Sequence, residues 1–321
     1  MDRNLNDLIR ILNDKDEFLV TAHENPDGDA VGSMAAMGGI LDAMGKRYVV
    51  FNGSGMPERL AWMKMPSPLQ DDLGTFQPQC MLVLDCGARD RAGKIVEALM
   101  EHVVTVNIDH HLGNSMFGHV NWVEPTMSSV GEMIGTLALA LDVPLSGGIG
   151  QGIFLAMVSD TGSFSYGNTR PETLDMASAI LRLGLDLNWF TGQMERQSSL
   201  AKIRLQGEVL RRAELLCGGR VAMIAVSLND FATTGARAED CEGLVNQVRS
   251  IRGVDVAVSL REDEPRKVKF SLRSWGEVDV RRVAEAFGGG GHRNASGGAI
   301  QAPLAQARDA MVRTLDKTLA N

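Results

Sequence analysis

Four times along this chain an apolar segment runs into an aspartate beside a glycine-containing loop. Phe18–Ala22 leads to His23-Glu24-Asn25-Pro26-Asp27-Gly28-Asp29, and Met81–Leu84 leads to Asp85-Cys86-Gly87. Val103–Ile108 leads to Asp109-His110-His111-Leu112-Gly113, and Gly150–Val158 to Ser159-Asp160-Thr161-Gly162. The first three runs have strand character, from β-branched and apolar residues, and the fourth reads as helical. Helical patterns between the strands predict a mostly parallel sheet covered on both faces. In such sheets ligands sit beyond the carboxyl ends of the strands, where these acids and imidazoles fall. Costly polar groups at the mouth of a buried strand need partners, and a metal ion is the economical partner for adjacent Asp and His.

Around these segments the pattern is regular. Residues 2–13 predict an amphipathic helix with Leu5, Leu8, Ile9 and Leu12 on one face. A second helix is expected from about Ala30 to Met44, with Gly45 as its stop, then a strand over 46–52. Further helices are expected over 91–102, from a Ser128-Ser129 cap to about Leu141, and over 172–184. A helix over 188–216, carrying Arg204, Arg211 and Arg212, is the expected connector between a first domain (1–187) and a second (217–321). The second domain repeats an αβ pattern, with strands near 220–226, 254–260 and 267–272 and a helix near 280–287. Gly288-Gly289-Gly290-Gly291-His292-Arg293-Asn294-Ala295-Ser296-Gly297-Gly298 follows, where four glycines permit close backbone approach to a ligand.

Composition narrows the class. A chain of 321 residues is comfortable as two domains, and 44% hydrophobic with 22% charged residues is ordinary for a soluble protein. No apolar run reaches the ~18 residues of a membrane span, and the polar opening Met1–Leu8 does not resemble a signal peptide. Four unpatterned cysteines and seventeen methionines suit a reducing cytoplasm. The net charge of −8 is uneven: residues 1–190 hold 12 Lys and Arg against 24 Asp and Glu, residues 191–321 hold 20 against 16. An acidic half able to hold cations beside a mildly basic half suits a small phosphorylated substrate better than a long nucleic-acid track.

Together the candidate ligands are His23, Asp27, Asp29, Asp85, Asp109, His110, His111 and Asp160. Carboxylates and imidazoles without a thiolate favour Mn²⁺ or Mg²⁺ over structural zinc. So many acids could not be packed together ionised without cations; one ion would leave ligands idle, whereas two roughly 3.5–4 Å apart use them naturally. That chemistry is phosphoester hydrolysis.

His-x-x-x-Asp-x-Asp at 23–29, the isolated Asp85, Asp109-His110-His111 and Ser159-Asp160 resemble motifs I to IV of the DHH phosphoesterase superfamily. The Gly288–His292 stretch is similar to the signature of the accompanying DHHA1 domain. Order, spacing and length match the stand-alone nanoRNase and 3′-phosphoadenosine-5′-phosphate (pAp) phosphatase family. The resemblance implies an α/β fold, with an N-terminal parallel-sheet DHH domain, a smaller α/β DHHA1 domain, and the active site in the cleft between them. It implies one metal held by His23, Asp27 and Asp85 and another by Asp29, Asp85, His110 and Asp160, the two most expected to be Mn²⁺, with Mg²⁺ or Co²⁺ as alternatives. Asp85 would bridge, Asp109 would orient an imidazole, and His111 would contact the phosphate or leaving oxygen; Asp85, Asp109 and His111 are thus the expected catalytic set. Arg273, His292 and the backbone of Gly288, Gly289, Gly290 and Gly291 would hold the substrate's terminal phosphate or base.

The expected protein is therefore a cytoplasmic hydrolase that trims very short single-stranded RNA and dinucleotides to 5′-mononucleotides and removes the 3′-phosphate of pAp. A homodimer is left open, and no membrane partner is expected. A cyclic di-AMP phosphodiesterase uses the same motifs and is the enzymatic alternative; a nucleotide-sensing protein on a degenerate site is the non-enzymatic one.

Overall fold

The computed structural model describes residues 3–196 and 198–319. The chain divides after Arg196 into two units, each with its own core.

In the first unit, α1 (Arg3–Asp14) precedes β1 (Phe18–Ala22), α2 (Gly28–Ala43), β2 (Tyr48–Phe51), β3 (Leu69–Gln70) and β4 (Cys80–Leu84). Then come α3 (Lys94–Leu99), β5 (Val104–Asp109), β6 (Val120–Val123) and the helices α4 (Val130–Ala140), α5 (Gly147–Asp160), α6 (Pro171–Arg182) and α7 (Leu187–Glu195). The sheet is wholly parallel with order β3-β2-β1-β4-β5-β6. Strand order reverses between β1 and β4, which opens a crevice at their carboxyl ends. Both sheet faces are buried: Phe18, Val20, Leu82 and Leu84 pack with residues of α1, α2, α4 and α5, while Leu19, Met81 and Val83 pack with Val96 of α3. That two-sided burial explains why these strands read as unbroken apolar runs.

α2 and α5 run antiparallel at close quarters, because both carry glycine at the crossing. A Cβ added at Gly32 would lie 2.3 Å from the Gly152 carbonyl oxygen, and one at Gly28 would lie 1.9 Å from Ser159 Oγ. No side chain fits there, so the register of the two helices is fixed by backbone contact. As a result the start of α2 and the end of α5 lie together.

The second unit comprises α8 (Leu200–Arg211), β7 (Glu214–Leu216), β8 (Val221–Val226), α9 (Leu228–Thr234) and α10 (Leu244–Arg249). It continues with β9 (Val256–Glu264), β10 (Lys267–Ser274), α11 (Val280–Glu285), β11 (Gly290–His292), β12 (Ala295–Ile300) and α12 (Leu304–Leu319). Its mixed sheet has order β11-β12-β10-β9-β8-β7. One face packs on α11 and α12 through Val258, Leu260, Val283 and Met311, the other on α8 and α10 through Ile224, Leu205 and Val248.

Two expected helices are interrupted. The stretch 91–102 is a 3₁₀ turn, Arg89–Ala92, followed by α3; Gly93 sits between them at φ +89°, which ends one and starts the other. The expected connector over 188–216 is two helices, α7 and α8, followed by β7. Ser199 starts the second of these by accepting a hydrogen bond from Lys202 N, a cap that a continuous helix could not contain. Gly45, by contrast, stops α2 as expected, at φ +67°. Among the described residues no helix is long and apolar enough to cross a membrane.

Candidate active site

The crevice at the β1/β4 reversal collects the acids and imidazoles. His23 follows β1, Asp85 follows β4, Asp109 ends β5 and His110 and His111 come next. Asp27 is the N-cap of α2, its Oδ1 accepting from Asp29 N (3.0 Å) and Ala30 N (3.1 Å), which leaves Oδ2 turned to His23 at 4.0 Å. Asp160 arrives differently from the others: it is the last residue of a helix, brought in by the α2–α5 crossing.

Asp85 is central. Its Oδ2 lies 3.6 Å from His23 Nε2, and its Oδ1 lies 3.6 Å from His111 Nδ1 and 3.9 Å from His110 Nε2. The residue holds φ +52°, a left-handed conformation costly for a side chain other than glycine. Asp29 lies inside the protein and serves two purposes. Its Oδ1 accepts from Gly131 N (3.0 Å) and Ser33 Oγ (2.9 Å) and its Oδ2 from Val130 N (2.8 Å), so it caps α4 from a distance. The same Oδ2 stands 3.8 Å from His110 Nε2, which is itself 3.3 Å from Asp160 Oδ2.

The imidazoles are oriented by carbonyls. His23 Nδ1 donates to Glu24 O (2.8 Å) and His110 Nδ1 to Met127 O (3.2 Å). A carbonyl only accepts, so each Nδ1 carries the proton and each Nε2 is presented to the carboxylates. His111 is held otherwise, through Nδ1 to Asp109 Oδ1 at 2.7 Å.

Without cations the cluster keeps protons in their place. Burial pushes Asp29 well above the usual carboxylate range, with Asp85 and Asp160 adding to the effect. Burial also lifts Asp160, to about 6, with Asp85 and Asp27 helping and His110 opposing. Burial lowers His110, but Asp29, Asp160 and Asp85 outweigh it and raise the imidazole to about 9. For Asp85, burial is overcome by contact with His23 and the charges of His111 and His110, which hold it to about 2. So many carboxylates around few imidazoles form a group that could hold a divalent ion.

The donor set fits such ions. Ligand atoms of His23, Asp27 and Asp85 lie within 4.8 Å of one another, as do those of Asp29, His110 and Asp160, and those of Asp85, His110 and His111. All are carboxylate oxygens and imidazole nitrogens; the neighbouring thiol, Cys86, turns instead to Ala88 O at 3.1 Å.

The remaining candidates lie in the second unit. Arg273 is on β10, opposite Ala257 of β9 and Ala295 of β12, and it lines a cavity of about 640 Å³ together with Arg261 and Lys269. Gly290, Gly291 and His292 form β11, paired with β12, so the glycine run is partly strand. What a side chain would meet differs along the run. A Cβ at Gly289 would meet Gly297 O at 2.3 Å and one at Gly291 would meet Ala295 O at 2.6 Å, so neighbouring backbone already uses that space. Gly288 needs its glycine for φ +71°; only Gly290 combines an ordinary φ with open space.

Sequence reasoning missed the supports of the site. Asn114, which fastens Asp109, Asn107, which holds Asn114, and Glu132, which fastens the loop holding His110, form no motif with the ligands. The signal available was Asn107 itself, an amide inside an otherwise apolar strand.

Residues 17–151 match the DHH family, N-terminal domain, and residues 218–321 match the DHHA1 domain. The chain is 32% identical over 284 residues to the bifunctional oligoribonuclease and PAP phosphatase NrnA of Thermus thermophilus, covering 88% of this chain and 83% of that one. It is 27% identical to the protein of the same name from Bacillus subtilis, covering 92% of each. A solved structure, an exopolyphosphatase-related protein from Bacteroides fragilis, superposes with a TM-score of 0.92 at 27% identity, over 98% of this chain and 96% of that one. With both domains matched in order and a relative above 30% identity over most of its length, the chain belongs to the DHH phosphoesterase family, in its DHH–DHHA1 form.

Proposed function

We propose that this protein is a hydrolase of very short oligoribonucleotides, releasing 5′-mononucleotides, and of the 3′-phosphate of pAp, using two divalent ions, most readily Mn²⁺. The observation that carries the reading is Asp85, whose two carboxylate oxygens face different imidazoles, His23 and His110. One ion would be held by His23, Asp27 and Asp85, the other by Asp29, Asp85, His110 and Asp160. Divalent ions there supply Lewis acidity to the phosphoryl group and to the attacking water.

The protein's own contribution is arrangement. Carbonyl contacts from Glu24 and Met127 fix which nitrogen His23 and His110 present, and the hydrogen bond to Asp109 does the same for His111. His111, with its Nδ1 proton held by Asp109, would act on the phosphate or leaving oxygen. Arg273, His292 and the backbone of Gly288, Gly289, Gly290 and Gly291 would bind the nucleotide end; Arg273 lines a polar cavity with Arg261, Lys269, Glu239 and Glu242. The names of the relatives from Thermus thermophilus and Bacillus subtilis support both activities.

The test is turnover of pAp, cyclic di-AMP and oligoribonucleotides from two to ten residues, with Mn²⁺ and after chelation. Preferred cleavage of di- and trinucleotides together with pAp supports the reading. Preference for cyclic di-AMP would replace it with a cyclic-dinucleotide phosphodiesterase, and absence of turnover with any substrate would leave a binding protein.

A further inference from the structure

Asn114 belongs to no ligand group, yet it sits where two loops of the site are tied. Its Nδ2 lies 2.5 Å from Asp109 Oδ2, 2.8 Å from Asn107 Oδ1 and 3.2 Å from Cys86 O. An amide nitrogen has two hydrogens, so the two shorter contacts, to Asp109 and Asn107, take them. Asn107, buried on β5, then donates from its own Nδ2 to Cys86 O at 3.1 Å. Asn114 is itself fixed, its Oδ1 accepting from Met116 N at 2.7 Å. Cys86 is the residue after Asp85 and Asp109 is the partner of His111. A second tie, Ser115 N to Gly87 O at 2.9 Å, joins the same two loops.

Asp109 is wholly buried. A carboxylate there rotates unless both oxygens are engaged, and its rotation would carry His111 with it. Asn114 engages the oxygen that His111 does not.

We infer that Asn114 is a positioning residue. Through Asp109 it sets the tautomer and aim of His111, and through Asn107 it braces the peptide that follows Asp85. Catalytic contact remains with His111. This rests on the proposed role of His111, and its direct readout is independent of substrate identity.

The experiment uses full-length protein labelled with ¹⁵N in the histidine rings, free of metal, with His111 assigned by comparison with His111→Gln. In the wild type the His111 Nδ1 proton should appear strongly downfield and exchange slowly with water. If His111 instead carries its proton on Nε2, the inference is overturned before any variant is made. Asn114→Asp keeps the shape but loses the donor, and Asn114→Ala removes both. Each should lose the downfield position and exchange protection of that proton. With Mn²⁺, kcat on a dinucleotide should fall roughly 10–100-fold at little change in KM and in bound metal. An Asn114 with a purely structural role would lower Tm and leave the His111 resonance in place; that outcome overturns the inference, as would loss of bound metal with the resonance intact. If dinucleotides prove not to be substrates, the resonance still decides the positioning role while the functional reading fails separately.

Discussion

Gly32 and Gly152 meet backbone to backbone where α2 crosses α5, and through that contact Asp29 and Asp160 come to share one imidazole, His110. The crossing is thus part of the site's construction. Gly152→Val should push the helices apart, because its Cβ would begin 2.5 Å from Gly32 O with backbone on both sides. A cost of about 1–3 kcal/mol or more is expected, read as a lower Tm. Metal analysis of the folded fraction should show loss of the ion proposed for Asp29, His110 and Asp160 before the other. Full retention of two ions in a destabilised protein would separate the crossing from the site.

The bridging role proposed for Asp85 is tested by Asp85→Asn, which keeps the size and tolerates the left-handed conformation at φ +52°. Removing the charge withdraws the partner that His23, His110 and His111 share. Activity should be abolished and bound Mn²⁺ should fall from two per chain to below one in elemental analysis. Two tightly held ions in the variant would remove Asp85 from the bridge.

How much of this was legible in advance follows physical lines. Parallel strands buried on both faces announce themselves as apolar runs, and ligands set at their ends stand out against that background, as with Asp85 and Asp109-His110-His111. Helix interruptions at Gly93 and Ser199 were hidden, because one residue of glycine or a serine cap weighs little against a long helical pattern. Asp160 could be recognised by its motif, but its arrival on a helix end depends on glycine-to-glycine contacts between segments about 120 residues apart, which no local pattern encodes. Glu132 lies within the helix expected after Ser128-Ser129, and no motif marks it. In the fold it accepts from Ser128 N (2.9 Å) and Thr173 Oγ1 (2.9 Å) and pairs with Arg170 (2.5 Å).

That last network predicts an acid limb in stability. Burial alone would raise the Glu132 carboxyl, but its hydrogen bonds from Ser128 and Thr173 and the charge of Arg170 hold it below its ordinary value. Between the folded and unfolded pKa the unfolded chain binds the extra proton, so stability rises with pH across that interval. Its contribution is complete above the unfolded value, about 4.3, and fades as pH falls through the lower folded value. Glu132→Gln should cost about 2 kcal/mol at pH 7 in urea unfolding, and the gap to wild type should narrow towards pH 3. A gap of constant size at both pH values would show that the charge contributes nothing and only the shape matters.

The glycine run offers a separation that the structure makes sharp. Gly289 and Gly291 are committed to neighbouring backbone, so Gly289→Ala, with its Cβ 2.3 Å from Gly297 O, should lower Tm and disturb the β11–β12 pairing whatever the ligand. Gly290 has open space and no positive φ, so Gly290→Val should leave circular dichroism and Tm near wild type. Any loss of function in that variant then reports the ligand's approach to the backbone and not the fold. If Gly290 contacts the nucleotide end as proposed, kcat/KM on a dinucleotide should fall at least about tenfold, close to 1.4 kcal/mol of transition-state binding. The rate on bis-p-nitrophenyl phosphate should change little, because that ester makes small demands on remote binding. Equal losses on both substrates would place the glycine stretch in support of the hydrolytic chemistry itself. Unchanged dinucleotide kinetics in a well-folded Gly290→Val would take Gly290 out of the substrate site and leave the run as a device for packing β11 on β12.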